Sequence, residues 1–337
     1  MNSHLHSAIT ALAAFISVSS LFAAVESTSE TFVATATAIA GNNNSASRLT
    51  LFLPQMVRPL VAAGTITSVQ NDFVTDANAD WTDGQFNGSN GAFYAEFSSG
   101  LIASIAETDG TTHKLKLSAN VQDSVSAGVA YKIRRHFTIA DIFGPKNETG
   151  LLPGTSANDA DNIFVYLATS PEPVAIFYSN VFGSEGWRKA DSTPAKDLIV
   201  SPAQGVMVLR KTAETRTVYL HGQVKVGPTL ATIQAGYNLV GTLKTLTDLK
   251  LAELNLFTGS TATGVAAASN PTFADNVMIA NADGSTVTYF YSNYSGFDGW
   301  FDAAYGSASD LQVSAGSAFF VHRKAANGAF IWSVPSE

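Results

Sequence analysis

Two stretches decide the fold: VAIFYSNVFGSEGWRKADSTPAKDLIVSPAQGVMVLRK at 174–211 and VTYFYSNYSGFDGWFDAAYGSASDLQVSAGSAFFVHRK at 287–324. A shift of 113 residues aligns them without a gap, and 17 of the 38 paired positions are identical. The matches include Tyr178-Ser179-Asn180 with Tyr291-Ser292-Asn293, Gly186-Trp187 with Gly299-Trp300, and Arg210-Lys211 with Arg323-Lys324. Agreement at this level marks a duplicated structural unit. Each copy reads as strand, turn, strand, turn, strand, because short runs rich in β-branched and aromatic residues alternate with Gly, Asn, Asp and Ser.

The likeness extends upstream. Ala160-Asp161-Asn162 and Ala274-Asp275-Asn276 each lead into an apolar strand. Before them lie two short helix candidates, 138–144, with Thr138 as cap and Gly144 as terminator, and 249–256. The second unit opens with Gly-Tyr-Asn-Leu-Val-Gly at 236–241, and its expected counterpart is 49–54. That placement makes 64–135 an insertion. Five or six short strands separated by turn residues suggest a small barrel or sandwich there. The expected division is 1–24 signal peptide, 25–63 N-terminal strands of the first repeat, 64–137 small β module, 138–228 first repeat and 229–337 second repeat. The fold class is all-β: two duplicated sandwich-like units, a small inserted barrel-like module and only short helices.

Residues 8–24 form a short apolar run ending in Ala23-Ala24, as a secretory signal peptide does. No later run reaches membrane length, so no span is expected in the mature chain. Cysteine is absent, which removes disulfides, thiolate metal sites and thiol nucleophiles. Charged residues make up 14% of the chain and the net charge is −8, an unsuitable balance for holding nucleic acid. The expected location is exported: extracellular, cell-surface or periplasmic.

Several residues are candidates for chemistry. Trp187 and Trp300 are either sugar-stacking platforms or core plugs, and Asn180 and Asn293 are either ligand-binding amides or turn caps. Asp76, Asn78 and Asp80, with Asp83 following, have the one-three-five oxygen spacing of a calcium loop, although Trp81 stands where its sharp turn needs Gly. Asp197 and Asp310 are expected near Arg210 and Arg323 as structural ion pairs. The histidines lack metal-ligand spacing, and no nucleophile elbow, P-loop or dinucleotide fingerprint occurs.

The 236–241 motif, followed by a short helix, Gly-Trp and a hairpin ending in the strand 318–321, resembles a β-module common in bacterial exported and surface proteins, and Trp81-Thr82-Asp83-Gly84-Gln85-Phe86 with the stretches 96–100 and 131–144 resembles an uncharacterised family of exported bacterial β-rich proteins. The resemblance covers nearly the whole mature chain and implies no activity, cofactor or site residue. The reading is therefore a non-catalytic structural or surface protein without a cofactor. Self-association, cell-surface components or a glycan are its expected partners, and the strand at 30–38 is available to a sheet edge of its own or a neighbouring chain. A glycan-binding module using exposed Trp187 or Trp300 is the alternative, and a secreted hydrolase the third.

Overall fold

The computed structural model describes residues 32–41, 48–88, 92–167, 172–244, 247–281 and 285–336. The apolar run at 8–24, expected to be a signal peptide, and the Asn-rich stretch at 42–45 lie outside them. The described chain is all-β, with one short α-helix. Among the described residues no helix is long and apolar enough to cross a membrane.

Two five-stranded antiparallel sheets carry the two similar stretches. In the first the order is Gly186–Lys189, Val174–Ser179, Asn162–Val165, Val206–Arg210, Arg48–Phe52. In the second it is Phe297–Asp302, Thr286–Tyr294, Asn276–Ala280, Ala318–Arg323, Gly236–Gly241. The two orders correspond strand for strand, with Arg48–Phe52 in the place of Gly236–Gly241. Each sheet covers its inner face with a strand pair. Phe32–Ile39 runs antiparallel to Arg216–Val224, and Thr229–Ile233 to Phe330–Val334. The expected edge strand near the N-terminus thus pairs within its own chain. Ile163, Ile176, Val208, Val218, Leu220 and Trp187 share one core, and Val277, Tyr289, Val321, Phe330, Trp332 and Trp300 the other.

The outer faces of the two sheets meet through a smaller cluster of Leu51, Met207, Leu239 and Ala318. Leu53 N–H donates to Gly316 at 2.9 Å, and Gly241 N–H donates to Ala203 at 3.2 Å. Leu53 and Gly241 hold equivalent ladder positions, as do Gly316 and Ala203. The two bonds are therefore exchanges of one another, and the sheets meet about an approximate twofold axis. Gly205 sits at this junction. A Cβ there would lie 2.7 Å from both Ala318 and Leu239, so only glycine permits the approach.

Residues 60–135 form a seven-stranded sheet in the order Leu60–Thr65, Ala130–Arg135, Phe93–Phe97, Ile102–Asp109, Lys114–Leu117, Phe73–Thr75, Ser68–Gln70. This corrects the barrel-like expectation. The two edge strands follow one another in the chain across Ile66-Thr67 but do not pair with each other, so the sheet curls around Val74, Phe86, Phe97, Leu115 and Tyr131 without closing.

The helix Ile139–Phe143 forms as expected, with Thr138 and Asp141 bonding each other's backbone N–H. The second helix candidate does not: Leu249–Lys250 is a strand, followed by a single 3-10 turn at Leu251–Glu253. Lys250 stands where the first unit has Thr138. Its side chain has no acceptor for the reciprocal capping bond, so only Glu253 bonding Lys250 N–H remains.

Candidate functional site

The repeated polar residues lie in buried braces. Asp161 and Arg210 are fully buried and meet at 2.7 Å, while the other Asp161 oxygen takes the Lys211 N–H. Asp275 and Arg323 do the same at 2.6 Å, with the Lys324 N–H at 2.7 Å. Leu152 N–H and Ala266 N–H complete the two carboxylates. Asn162 and Asn276 tie down the loops before their strands by bonding carbonyls at 157 and 160, and at 271 and 274. The expected partners of the arginines were Asp197 and Asp310. Those two are exposed on the following turns, and Asp310 pairs with Lys250 instead. An Asp at the start of the strand beside the arginine strand faces the core, whereas an Asp in the turn faces water.

Trp187 and Trp300 are buried, at 2% and 3% exposure. Each stands edge-on to the tyrosine across the ladder, Tyr178 at 5.2 Å and Tyr291 at 5.6 Å. The Trp187 indole N–H also donates to the Gly144 carbonyl at the helix end. Of the two roles open to them, both rings take that of core plug, and neither is exposed as a stacking platform. Asn180 and Asn293 are exposed at strand ends.

The calcium-loop reading is also corrected. Asp76 is buried and accepts from the Tyr131 hydroxyl at 2.7 Å and from Asn78 N–H. Burial first, then this carboxylate, pushes the Tyr131 phenol far above its usual range. Asp83 is turned away to Gly110 N–H and Thr111 N–H. Asp76, Asn78, Asp80 and Asp83 therefore do not form a shared ligand set. Among the described residues no group of three or more His, Asp or Glu side chains is placed to hold a metal.

A second buried cluster joins the curled sheet to the repeats and was not legible in the sequence. Glu96 meets Lys225 at 2.8 Å and Arg134 at 3.4 Å, and all three are buried. Lys225 also donates to the carbonyls of Val226, Gly227 and Pro228, in the linker between the two units. Nearby, His136 Nε2 lies 3.0 Å from Ser104 Oγ and its ring packs on Tyr94. Burial alone lowers its pKa from 6.5 to about 4, so the ring is neutral at pH 7.

Three exposed aromatic residues, Tyr294, Phe297 and Tyr305, come together at the outward face of the hairpin Thr286–Tyr294 and Phe297–Asp302 and the turn after it. Register pairs Ser292 with Gly299 and Tyr294 with Phe297. The small Ser–Gly pair leaves a recess between larger neighbours. It has a volume of about 380 Å³ and is lined by Ser269, Ser292, Tyr294, Phe297 and Tyr305. Ser292 is buried, while Tyr294, Phe297 and Tyr305 are 60%, 54% and 51% exposed. Asp302 accepts from Ala304 and Gly306 N–H, and this turn holds Tyr305 at φ 67°, edge-on to buried Phe290. The left-handed conformation costs a non-glycine residue about 1–2 kcal/mol. A neighbouring recess of about 370 Å³ is more polar and includes Tyr289, Asp302 and Asp310. Its two carboxylates already have partners, the turn N–H groups and Lys250.

No family model, curated protein or solved structure matches this chain. The sequence did hold a signal for the recess, in the positions where the two copies differ: Val181, Ser184, Arg188 and Ser192 stand against Tyr294, Phe297, Phe301 and Tyr305. Attention to identities passes over them.

Proposed function

We propose that this chain is an exported, non-catalytic β-protein acting at the cell surface, in the extracellular space or in the periplasm. The observation that carries this reading is the commitment of its buried charged groups to structural bonds: Asp161 with Arg210, Asp275 with Arg323, and Glu96 with Arg134 and Lys225. General acid–base or nucleophilic chemistry needs a titratable group within reach of a substrate, and the aromatic recess is lined by none with a carboxylate or imidazole. Export is supported by the apolar run at 8–24. Self-association by donation of the first strand is not part of the proposal, because Phe32–Ile39 is paired along its length with Arg216–Val224.

The test has two readouts. Fractionation of cells expressing the full chain should place the protein outside the cytoplasm, and a cytoplasmic protein with an intact N-terminus would end the export reading. The purified protein should release no product from aryl glycosides, aryl esters or casein. Turnover abolished by a single point substitution would end the non-catalytic one.

A further inference from the structure

We infer that the recess bounded by Tyr294, Phe297 and Tyr305 is a binding site for a neutral hexopyranose unit of a glycan. The inference rests on the non-catalytic reading above and gives it a ligand class. Three observations carry it.

The first is the shape and lining. The recess is almost wholly apolar, buried Ser292 lies at its base opposite Gly299 in the ladder, and its walls are aromatic. Tyr294 and Phe297 are inclined at 37° with centroids 6.3 Å apart, so they present two differently tilted flat surfaces. Tyr305 stands at 88° to the Phe290 beneath it and adds a third. A pyranose ring has apolar C–H faces and a polar edge. Its faces suit exposed aromatic planes, and its hydroxyls suit the Tyr294 phenol and the Tyr305 oxygen, whose own hydrogen points to the Ser269 carbonyl at 3.5 Å.

The second is charge. No charged side chain lines the recess, and the chain as a whole carries −8. A phosphate, sulfate or carboxylate group would meet no cation there and would be repelled from a distance. A neutral sugar meets neither penalty.

The third is the comparison within the molecule. The first hairpin has the same pair, Ser179 opposite Gly186. In both hairpins the serine hydroxyl accepts from the backbone N–H two residues on, Val181 or Tyr294, at 3.3 Å. The pair therefore belongs to the shared fold. The walls do not: where the second hairpin has Tyr294, Phe297 and Tyr305, the first has Val181, Ser184 and Ser192. The first hairpin carries no such rings and its ladder ends at Ser179 opposite Gly186, whereas the second runs on through Asn293 with Asp298 to Tyr294 with Phe297, so it is the added length of the second hairpin that displays Tyr294 and Phe297. Tyr305 moreover occupies a left-handed position, one that Ser192 also holds at φ 69° and that a bulky ring does not favour.

The test is titration of the purified chain, by NMR and calorimetry, with four neutral probes: cellohexaose, chitohexaose, maltohexaose and mannohexaose. At least one should bind with a Kd in the micromolar to millimolar range. Tyr294→Ala and Phe297→Ala should each weaken that binding tenfold or more while leaving the circular dichroism spectrum unchanged. Phe182→Ala, which removes a ring that is 95% exposed on the first hairpin, should leave it unchanged. Absence of binding by all four probes overturns the site and leaves the non-catalytic reading standing. Equal weakening by Phe182→Ala also overturns it, since any exposed ring would then serve. Choline binding at the same rings without sugar binding would overturn the ligand class in favour of an aromatic cation cage. Shortened oligosaccharides in the binding mixture would instead defeat the non-catalytic reading and keep the site.

Discussion

Positions 179 and 186 of the first hairpin carry Ser and Gly, as do 292 and 299 of the second, and behind them both Trp rings and both Asp–Arg pairs are buried in the same way. The residues that differ most are those at the surface of the same hairpins. One copy presents Val181, Ser184 and Ser192, and the other Tyr294, Phe297 and Tyr305. The comparison separates two kinds of requirement in one molecule. What both copies share is what either needs to fold; what one has alone is free to serve something else.

The most damaging way to break the comparison is to remove a shared brace. Asp161→Ala and Asp275→Ala each leave a buried arginine without its carboxylate. Each should cost about 3–5 kcal/mol in urea unfolding. A loss below about 1 kcal/mol at either site would show that the two pairs do not do the same work.

A pH titration reaches the junction that only the first unit has. His136 is held neutral, with its pKa lowered to about 4 by burial, whereas the unfolded chain keeps the ordinary value of 6.5. The unfolded state takes up the proton first on acidification. The His136 contribution is thus intact above about pH 6.5 and is lost as pH falls towards 4, by about 3 kcal/mol in all. His136→Gln should remove that part of the slope of stability against pH. An unchanged slope would mean that the ring is not buried in solution.

Trp187→Phe deletes the indole donor to the Gly144 carbonyl and should cost about 1–3 kcal/mol. Thermal unfolding of the variant measures it, and a change under 0.5 kcal/mol, about the scatter for surface substitutions, would remove this bond from the account. The smallest expected effect is a gain. Ser192→Gly relieves a left-handed backbone at an exposed position and should stabilise by about 1 kcal/mol. Tyr305→Gly should gain less, because it also loses the ring packed on Phe290.

The all-β class and the strand that answers 236–241 were legible because apolar alternation and turn residues act locally, although the expected 49–54 is one residue off the 48–53 that the ladders give. The Thr138 cap was legible for the same reason. The partners of Arg210 and Arg323 were not. Asp161 and Asp275 lie about fifty residues away in sequence and reach them only through the register of adjacent strands, whereas Asp197 and Asp310 looked suitable by proximity along the chain. The Glu96–Arg134–Lys225 cluster depends on how the curled sheet docks on the linker, which no local pattern encodes. The aromatic recess was concealed for another reason: its residues are marked by the difference between copies, and a repeat draws the eye to agreement.

The linker at Lys225 has a mechanical consequence. The first described strand begins at Phe32, opposite Gln223, and the last ends at Val334, opposite Thr229. Six residue steps separate Gln223 from Thr229, so the two outer strand ends lie at most about 30 Å apart, counting one cross-strand spacing at each side. Tension applied to the two ends therefore passes across two peripheral ladders and this short bridge. It would load those ladders from their ends, together with the Leu243 N–H bond to the Pro335 carbonyl beside Val334 and the Met56–Val57 strand paired with Gln223 and Val224. Lys225, gripped by Glu96, is the pin at the centre of that line.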